Sequence, residues 1–186
     1  MLKNKYKNDY QKTSRMDARG RMVEDSIYVG DIYVLPFDEK KKKQTNRVTL
    51  GFAIAMVAIQ LLTGMMNQDS SRTFWIVYPY LFIFLPTAYM LIGAISYTEA
   101  TTRMQRPQYD GSIRRMHRSA IGALVICSIS AVCDMIYIIM NHNSIHMGTE
   151  VLYLLCHIVF IAVVVSYGKY FDHIFSGIQI ENGNSF

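Results

Sequence analysis

The chain has 186 residues, of which 51% are hydrophobic, and a formal net charge of +5. That apolar fraction is ordinary for a soluble domain, but here the apolar residues fall into four long runs with almost no charge, while residues 1–47 are highly charged. This distribution excludes a single soluble globular domain. We expect the first run, which starts only after residue 47, to be a retained membrane span rather than a cleaved signal peptide.

The first 47 residues form a basic leader. Residues 1–25 are polar and of mixed charge, so we expect disorder or a helix on the membrane surface. In residues 26–36, two short runs of Tyr, Val and Ile flank Gly30 and Asp31, which favours a small β-hairpin. One hairpin alone is marginal in water, so we expect it to dock on the rest of the protein or on a partner.

A basic cluster lies just before the first apolar run: Lys40, Lys41, Lys42, Lys43 and Arg47. Basic residues near a membrane surface attract anionic lipids by roughly 1 kcal/mol each. We therefore predict that these five residues contact anionic headgroups of the bilayer. Nucleic-acid binding would require aromatic or groove-reading elements beside the basic surface, and we expect no nucleic-acid partner.

The four apolar runs predict four transmembrane helices, because each is close to the roughly twenty residues that a helical crossing needs. The fold class is thus an all-α membrane protein, a four-transmembrane-helix bundle with a short, partly disordered N-terminal segment. We place the membrane domain at 48–171 and a tail at 172–186. The predicted spans are 48–66, 74–97, 119–140 and 151–168.

The distribution of Lys and Arg predicts the orientation. Of the nineteen such residues, twelve precede residue 48 and five lie in 98–118, whereas the connections 67–73 and 141–150 together hold only Arg72. By the positive-inside rule, both termini and the 98–118 loop face the cytoplasm of a cell-membrane protein.

Polar side chains within the spans form a candidate site. The rise of a helix places Gln60, Tyr80, Asp134 and His157 roughly 9–10 Å beneath the outer surface. An ionised Asp near the centre of a span costs about 2.5–3.5 kcal/mol, and His157 is the only basic side chain within the four runs. We therefore predict an Asp134–His157 contact in an intramembrane polar cluster. Alternatively, these residues only hold the helices together.

Two weaker candidates involve other residues. Cys133 and Cys156 lie at nearly the same depth, which makes them a candidate redox pair, although no Cys-x-x-Cys motif is present. His142, His146 and Glu150 recur at intervals of four, which would align three metal ligands if the segment were helical.

Three functions remain open from the sequence. The first is a non-enzymatic accessory or scaffold subunit of a membrane complex, with no catalytic residue and no cofactor. The second is a small proton- or ion-coupled transporter or channel that uses Asp134 and His157. Four helices rarely enclose a wide path, so it would act as an oligomer. The third is a membrane thiol oxidoreductase that uses Cys133 and Cys156.

Overall fold

Four long helices form the body of the protein in the computed structural model, which describes residues 5–16 and 22–182. Each is long and apolar enough to cross a membrane, so the predicted four-transmembrane-helix bundle is confirmed. A short helix, α3, lies before the third long helix. The helices are α1 (Glu39–Gly64), α2 (Phe74–Glu99), α3 (Arg106–Gly111), α4 (Ile113–Asn141) and α5 (Met147–Phe175).

The four long helices pack in a ring, in which α1 contacts α2, α2 contacts α4, α4 contacts α5, and α5 contacts α1. Small and polar residues line the buried faces, for example Ala53 and Thr49 on α1 and Ala123 and Ser130 on α4. Large apolar side chains such as Ile129 are exposed instead. This inverted pattern is what a bundle surrounded by lipid requires, since hydrocarbon accepts the apolar faces and small residues allow close helix contact.

The helices continue beyond the apolar runs. Helix α1 begins nine residues before the predicted span, where the Asp38 side chain accepts a hydrogen bond from the backbone N–H of Lys41 at 3.1 Å. Helix α5 runs on to Phe175, whose ring packs against Phe37 and Tyr97 with centroids 6.4 and 5.6 Å away. Hydropathy marks only the part of a helix that meets hydrocarbon. Aromatic packing can stabilise further turns outside it.

A three-stranded antiparallel sheet joins distant parts of the chain at one end of the bundle. Strand β3 (Ile32–Val34) lies between β4 (Arg103–Gln105) and β5 (Gln179–Glu181). Tyr33 is the central residue, opposite Met104 and Ile180. The leader, the connection between α2 and α4, and the tail therefore meet at one end, here called the sheet end. The opposite end, which carries the connections 65–73 and 142–146, is called the loop end.

The hairpin of the leader differs from the predicted one. Strand β1 (Tyr10–Met16) pairs with β2 (Met22–Tyr28), whereas the partners of β3 within residues 5–16 and 22–182 are β4 and β5. The runs on either side of Gly30 therefore belong to different sheets, and the 26–36 hairpin is not formed. Pairing with two strands gives hydrogen-bond partners to the backbone groups on both edges of β3, whereas in a lone hairpin each strand keeps one edge unpaired.

The predicted disorder of 1–25 is wrong for β1 and for the start of β2. Residues 1–4 and 17–21 of that prediction lie outside the described residues, as do residues 183–186 of the predicted tail. The strands of the hairpin are rich in polar residues, so composition gave no sign of them. Cross-strand pairing and the anchoring of the hairpin base stabilise them instead.

Tyr28 anchors the base of the hairpin. Its hydroxyl donates to the carbonyl of Asp31 at 2.7 Å and accepts from the backbone N–H of Arg106 at 2.9 Å. Burial raises the pKa of this hydroxyl, so it keeps the proton that the bond to Asp31 needs. A β-carbon at Gly30 would lie only 2.8 Å from the Tyr28 oxygen and from the β-carbon of Asp9, so a larger residue here would displace the base of the hairpin.

Candidate functional site

Two helix faces meet to form the intramembrane polar cluster. Ser130 and Asp134 belong to a buried set of residues on α4 that are spaced by three and four. Glu150, Tyr153 and His157 on α5 have the same spacing and are also buried. Residues at these intervals share one face of a helix. Because α4 packs against α5, the polar groups of both faces lie inside the bundle.

The side chain of His157 contacts polar groups of α4 and α5. Its Nε2 lies 2.9 Å from the hydroxyl oxygen of Ser130, and its Nδ1 lies 3.1 Å from the carbonyl oxygen of Tyr153. Since a carbonyl can only accept, Nδ1 carries a hydrogen and donates to it. The ring of Tyr153 packs edge-on against the imidazole, with centroids 4.6 Å apart. Both ring nitrogens of His157 thus have partners.

The predicted Asp134–His157 contact is not formed. The imidazole of His157 bonds to Ser130 instead. Asp134 lies one helical turn from Ser130, ~6 Å nearer to the loop end. Asp134 is fully buried, and neither of its carboxyl oxygens has a hydrogen-bond partner among the described residues. The helix face was predicted correctly, but the register between the two helices was not.

Glu150, which was predicted as a possible metal ligand, is a second acid inside the bundle. It is fully buried, and its Oε1 accepts a hydrogen bond from the backbone N–H of Ser70 at 2.9 Å, while its Oε2 has no partner in the described part of the chain. Asp134 on α4 and Glu150 on α5 are thus two fully buried carboxyl groups on helices that pack together. The three–four spacing of Glu150, Tyr153 and His157 in the sequence indicated that they share one helix face, but the predicted cluster did not include Glu150.

Tyr80 joins the cluster from α2. Its hydroxyl donates to the backbone carbonyl of Gln60 on α1 at 2.6 Å, and its ring centroid lies 6.3 Å from that of His157. A β-carbon at Gly64 would lie 2.3 Å from the Tyr80 oxygen, so glycine makes room for this side chain. Three of the four predicted cluster members, Gln60, Tyr80 and His157, line one cavity of about 10 Å³, roughly the space of one water molecule.

Gln60 and Asp134 carry polar groups that the bundle leaves unsatisfied. The side-chain oxygen and nitrogen of Gln60 are buried without a hydrogen-bond partner among residues 5–16 and 22–182. Burying such groups unpaired costs about 1–3 kcal/mol each in proteins, and more for a charged group. An ionisable residue in this position marks a functional site by default, so the cluster is the leading candidate.

The predicted metal ligands are not brought together. His142 and His146 are exposed at the loop end, whereas Glu150 points into the bundle. No group of three or more His, Cys, Asp or Glu side chains within the described ranges could hold a metal ion. The premise of one continuous helix fails because α4 ends at Asn141 and α5 starts at Met147.

The cysteines are all free. Cys156 lines the small cavity beside His157, and Cys127 is buried with its sulfur 3.7 Å from the His157 carbonyl oxygen. Cys133 is partly buried on α4. A redox pair of Cys133 and Cys156 stays a prediction, and no disulfide joins them.

We found no protein-family model, no curated protein and no solved structure that matches this chain. Its function must therefore be inferred from its own residues.

The basic cluster before the first span divides into two groups. Lys40, Lys41, Lys43 and Arg47 are exposed, as the predicted lipid contact requires. Lys42 is 7% exposed and points inward: its Nζ lies 3.5 Å from the carbonyl oxygen of Tyr97 and 5.4 Å from the centre of that ring. Lys42 therefore joins α1 to α2 and is not placed to bind a headgroup.

Proposed function

We propose that the protein is a non-enzymatic accessory or scaffold subunit of a membrane complex, and that the sheet end faces the cytoplasm. The observation that carries this proposal is the β1–β2 hairpin, whose strands pair only with each other within the described residues. A two-stranded hairpin is marginal in water, and an unpaired strand edge can accept a strand from another chain. Met16, Met22 and Ile27 of the hairpin are exposed.

Two further observations support this proposal. The cavity beside the polar cluster is about 10 Å³, which suits a water molecule rather than a transported solute. The segments that meet at the sheet end carry most of the Lys and Arg residues, as expected for the cytoplasmic side.

Shortening the hairpin tests the subunit proposal. Tyr10 lies opposite Tyr28 in the register, so an Asn-Gly turn can replace residues 11–27 and still close the base of the hairpin. We expect the wild-type protein to purify in mild detergent in a fixed ratio with another chain, and the shortened protein to lose that chain. Quantitative mass spectrometry of the purified samples measures the ratio.

The matched control is the charge exchange Lys12→Glu with Glu24→Lys. These side chains form a 2.9 Å ion pair across the hairpin, so the exchange keeps the strands and the net charge and should keep the partner. A wild-type protein that purifies as an isolated monomer contradicts the subunit proposal. A shortened protein that retains the partner contradicts the role of the hairpin.

A proton- or ion-coupled transporter acting as an oligomer is the second candidate, and the two buried carboxyl groups of Asp134 and Glu150 favour it. Asp134→Asn keeps the shape of the side chain but cannot exchange a proton. If this candidate holds, wild-type proteoliposomes should show proton-linked flux, and the variant should lose about tenfold or more, since an essential proton-transfer group is removed. A pH-sensitive dye inside the vesicles measures the flux.

Glu181→Gln is the control for that experiment, because Glu181 lies at the sheet end and pairs with Arg103 on the surface. It should leave the flux unchanged. If wild-type vesicles are no faster than empty ones, or if Asp134→Asn carries full flux, the transporter candidate is rejected.

A further inference from the structure

A basic pocket of about 430 Å³ lies beside α2 and α4 at the sheet end of the bundle. Its walls carry four cationic side chains and one carboxylate: Lys5, Arg114, Arg115, Arg118 and Asp110. This volume is in the range of pockets that hold small ligands. The predominance of cationic side chains indicates an anionic occupant.

Asp110 holds one wall of the pocket in place. Its carboxylate accepts hydrogen bonds from Lys5 at 2.5 Å, from Arg114 at 2.7 Å and from the hydroxyl of Tyr6 at 3.1 Å. These bonds bring the leader onto α3 and α4. Because the Asp110 carboxylate already pairs with Lys5 and Arg114, it does not neutralise the guanidinium groups of Arg115 and Arg118.

Arg115 and Arg118 supply the positive charge that remains. The guanidinium of Arg115 lies 5.8 Å from the ring centre of Tyr89 on α2, a contact that fixes its position without neutralising it. Arg118 is exposed, and it makes no ion pair within the described ranges. A guanidinium can bind a phosphate through two parallel hydrogen bonds.

The pocket lies at the boundary of the apolar belt. Arg118 directly precedes Ser119, where the apolar run of α4 begins. Arginine side chains close to the end of a membrane span can extend to the headgroup region. We therefore expect Arg118 to reach the level of the phosphates of a bilayer.

Exposed apolar surface continues from the pocket toward the loop end. Leu85 and Phe82 follow Tyr89 along one face of α2, and Val125 and Ile129 follow Arg118 along α4. Their spacings of three, four and seven residues keep each set on one face of its helix. This surface can accept the acyl chains of a molecule whose charged group occupies the pocket.

We propose that the basic pocket binds the headgroup of one anionic phospholipid, with its phosphate on Arg115 and Arg118 and its acyl chains along α2 and α4. Basic pockets between membrane helices bind anionic headgroups in this way. A free phosphate shares the charge but would leave the adjoining apolar surface unused. This site is separate from the polar cluster and does not depend on the proposed subunit role.

Native mass spectrometry of the full-length protein in neutral detergent tests the site. The sample is incubated with phosphatidylglycerol, with phosphatidylcholine of the same chain length, or with phosphatidylglycerol plus a molar excess of inorganic phosphate. We expect one retained phosphatidylglycerol, about tenfold weaker retention of phosphatidylcholine, and no displacement by phosphate. The double variant Arg115→Gln/Arg118→Gln should lose phosphatidylglycerol by about tenfold or more, since it removes charged hydrogen-bond donors.

The matched control is Arg72→Gln/Lys169→Gln, which removes two exposed charges that lie outside the pocket and outside the basic cluster before α1. This control should retain the lipid. Equal retention of both lipids, displacement by phosphate, or equal loss in the control overturns the proposal. If the double variant does not fold, Arg118→Gln alone serves, because that side chain is exposed; full lipid retention by it also overturns the proposal.

Discussion

Glu150→Ala is expected to lower the free energy of unfolding by about 3 kcal/mol. The substitution leaves the backbone N–H of Ser70 without its acceptor and opens a cavity, and each effect is destabilising. Ser70 is fully buried in the 3₁₀ segment Asp69–Arg72, so the loss should also loosen the connection 65–73. Unfolding in detergent measures the first effect, and limited proteolysis of that connection measures the second.

Glu150→Gln separates the role of the acceptor from the role of the charge. The amide oxygen can still accept from Ser70, and the side chain still fills the space, so most of the lost stability should return. Glu181→Ala, which removes the same residue type from a partly exposed position, should change stability little. An Ala variant at 150 as stable as the wild type would show that the loop end does not depend on this hydrogen bond.

Gly93→Leu is expected to lower the free energy of unfolding by about 3 kcal/mol, or to prevent folding, because overpacking a close contact is destabilising. A β-carbon at Gly93 would lie 3.3 Å from both the backbone nitrogen of Met116 and the carbonyl oxygen of Ser112. Those backbone atoms belong to the start of α4 and cannot turn away as a side chain could. The substitution should therefore force α2 and α4 apart at the sheet end.

Gly51→Leu is the matched control for Gly93→Leu. Gly51 also lies within a membrane helix, but nothing is within 4 Å of a β-carbon there. The added side chain would meet lipid, and leucine has a better helix propensity than glycine, so stability should stay equal or rise. Thermal unfolding of both variants in the same detergent gives the comparison. Equal losses at the two positions would contradict the packing explanation.

The sequence predicted the helices well because four long apolar runs give a strong signal. Helical periodicity also identified the inward faces, since Asp134, Gln60 and His157 are all buried. Hydropathy could not give the full helix lengths, because turns outside the hydrocarbon, such as those that precede residue 48 in α1, carry no apolar run.

Contacts between elements were predicted less well. A shift of one turn between α4 and α5 decides whether Ser130 or Asp134 meets His157. The depth of a residue counted from the end of its apolar run is not precise to one helical turn. Glu150 was predicted as a possible metal ligand and as a residue on the same helix face as His157, but not as a member of the polar cluster. The strands β3, β4 and β5 have three residues each, too few to show an alternating pattern, and their partners are distant in sequence.

The central position of β3 imposes an order on biosynthesis. Its two neighbours, β4 and β5, come from the middle and the tail of the chain, so a ribosome-bound chain can supply the first neighbour long before the second. Until residues 179–181 have been translated, β3 keeps one open edge. Completion of this small sheet thus requires the strand before α1 and the strand after α5 to lie at the same end of the four-helix bundle.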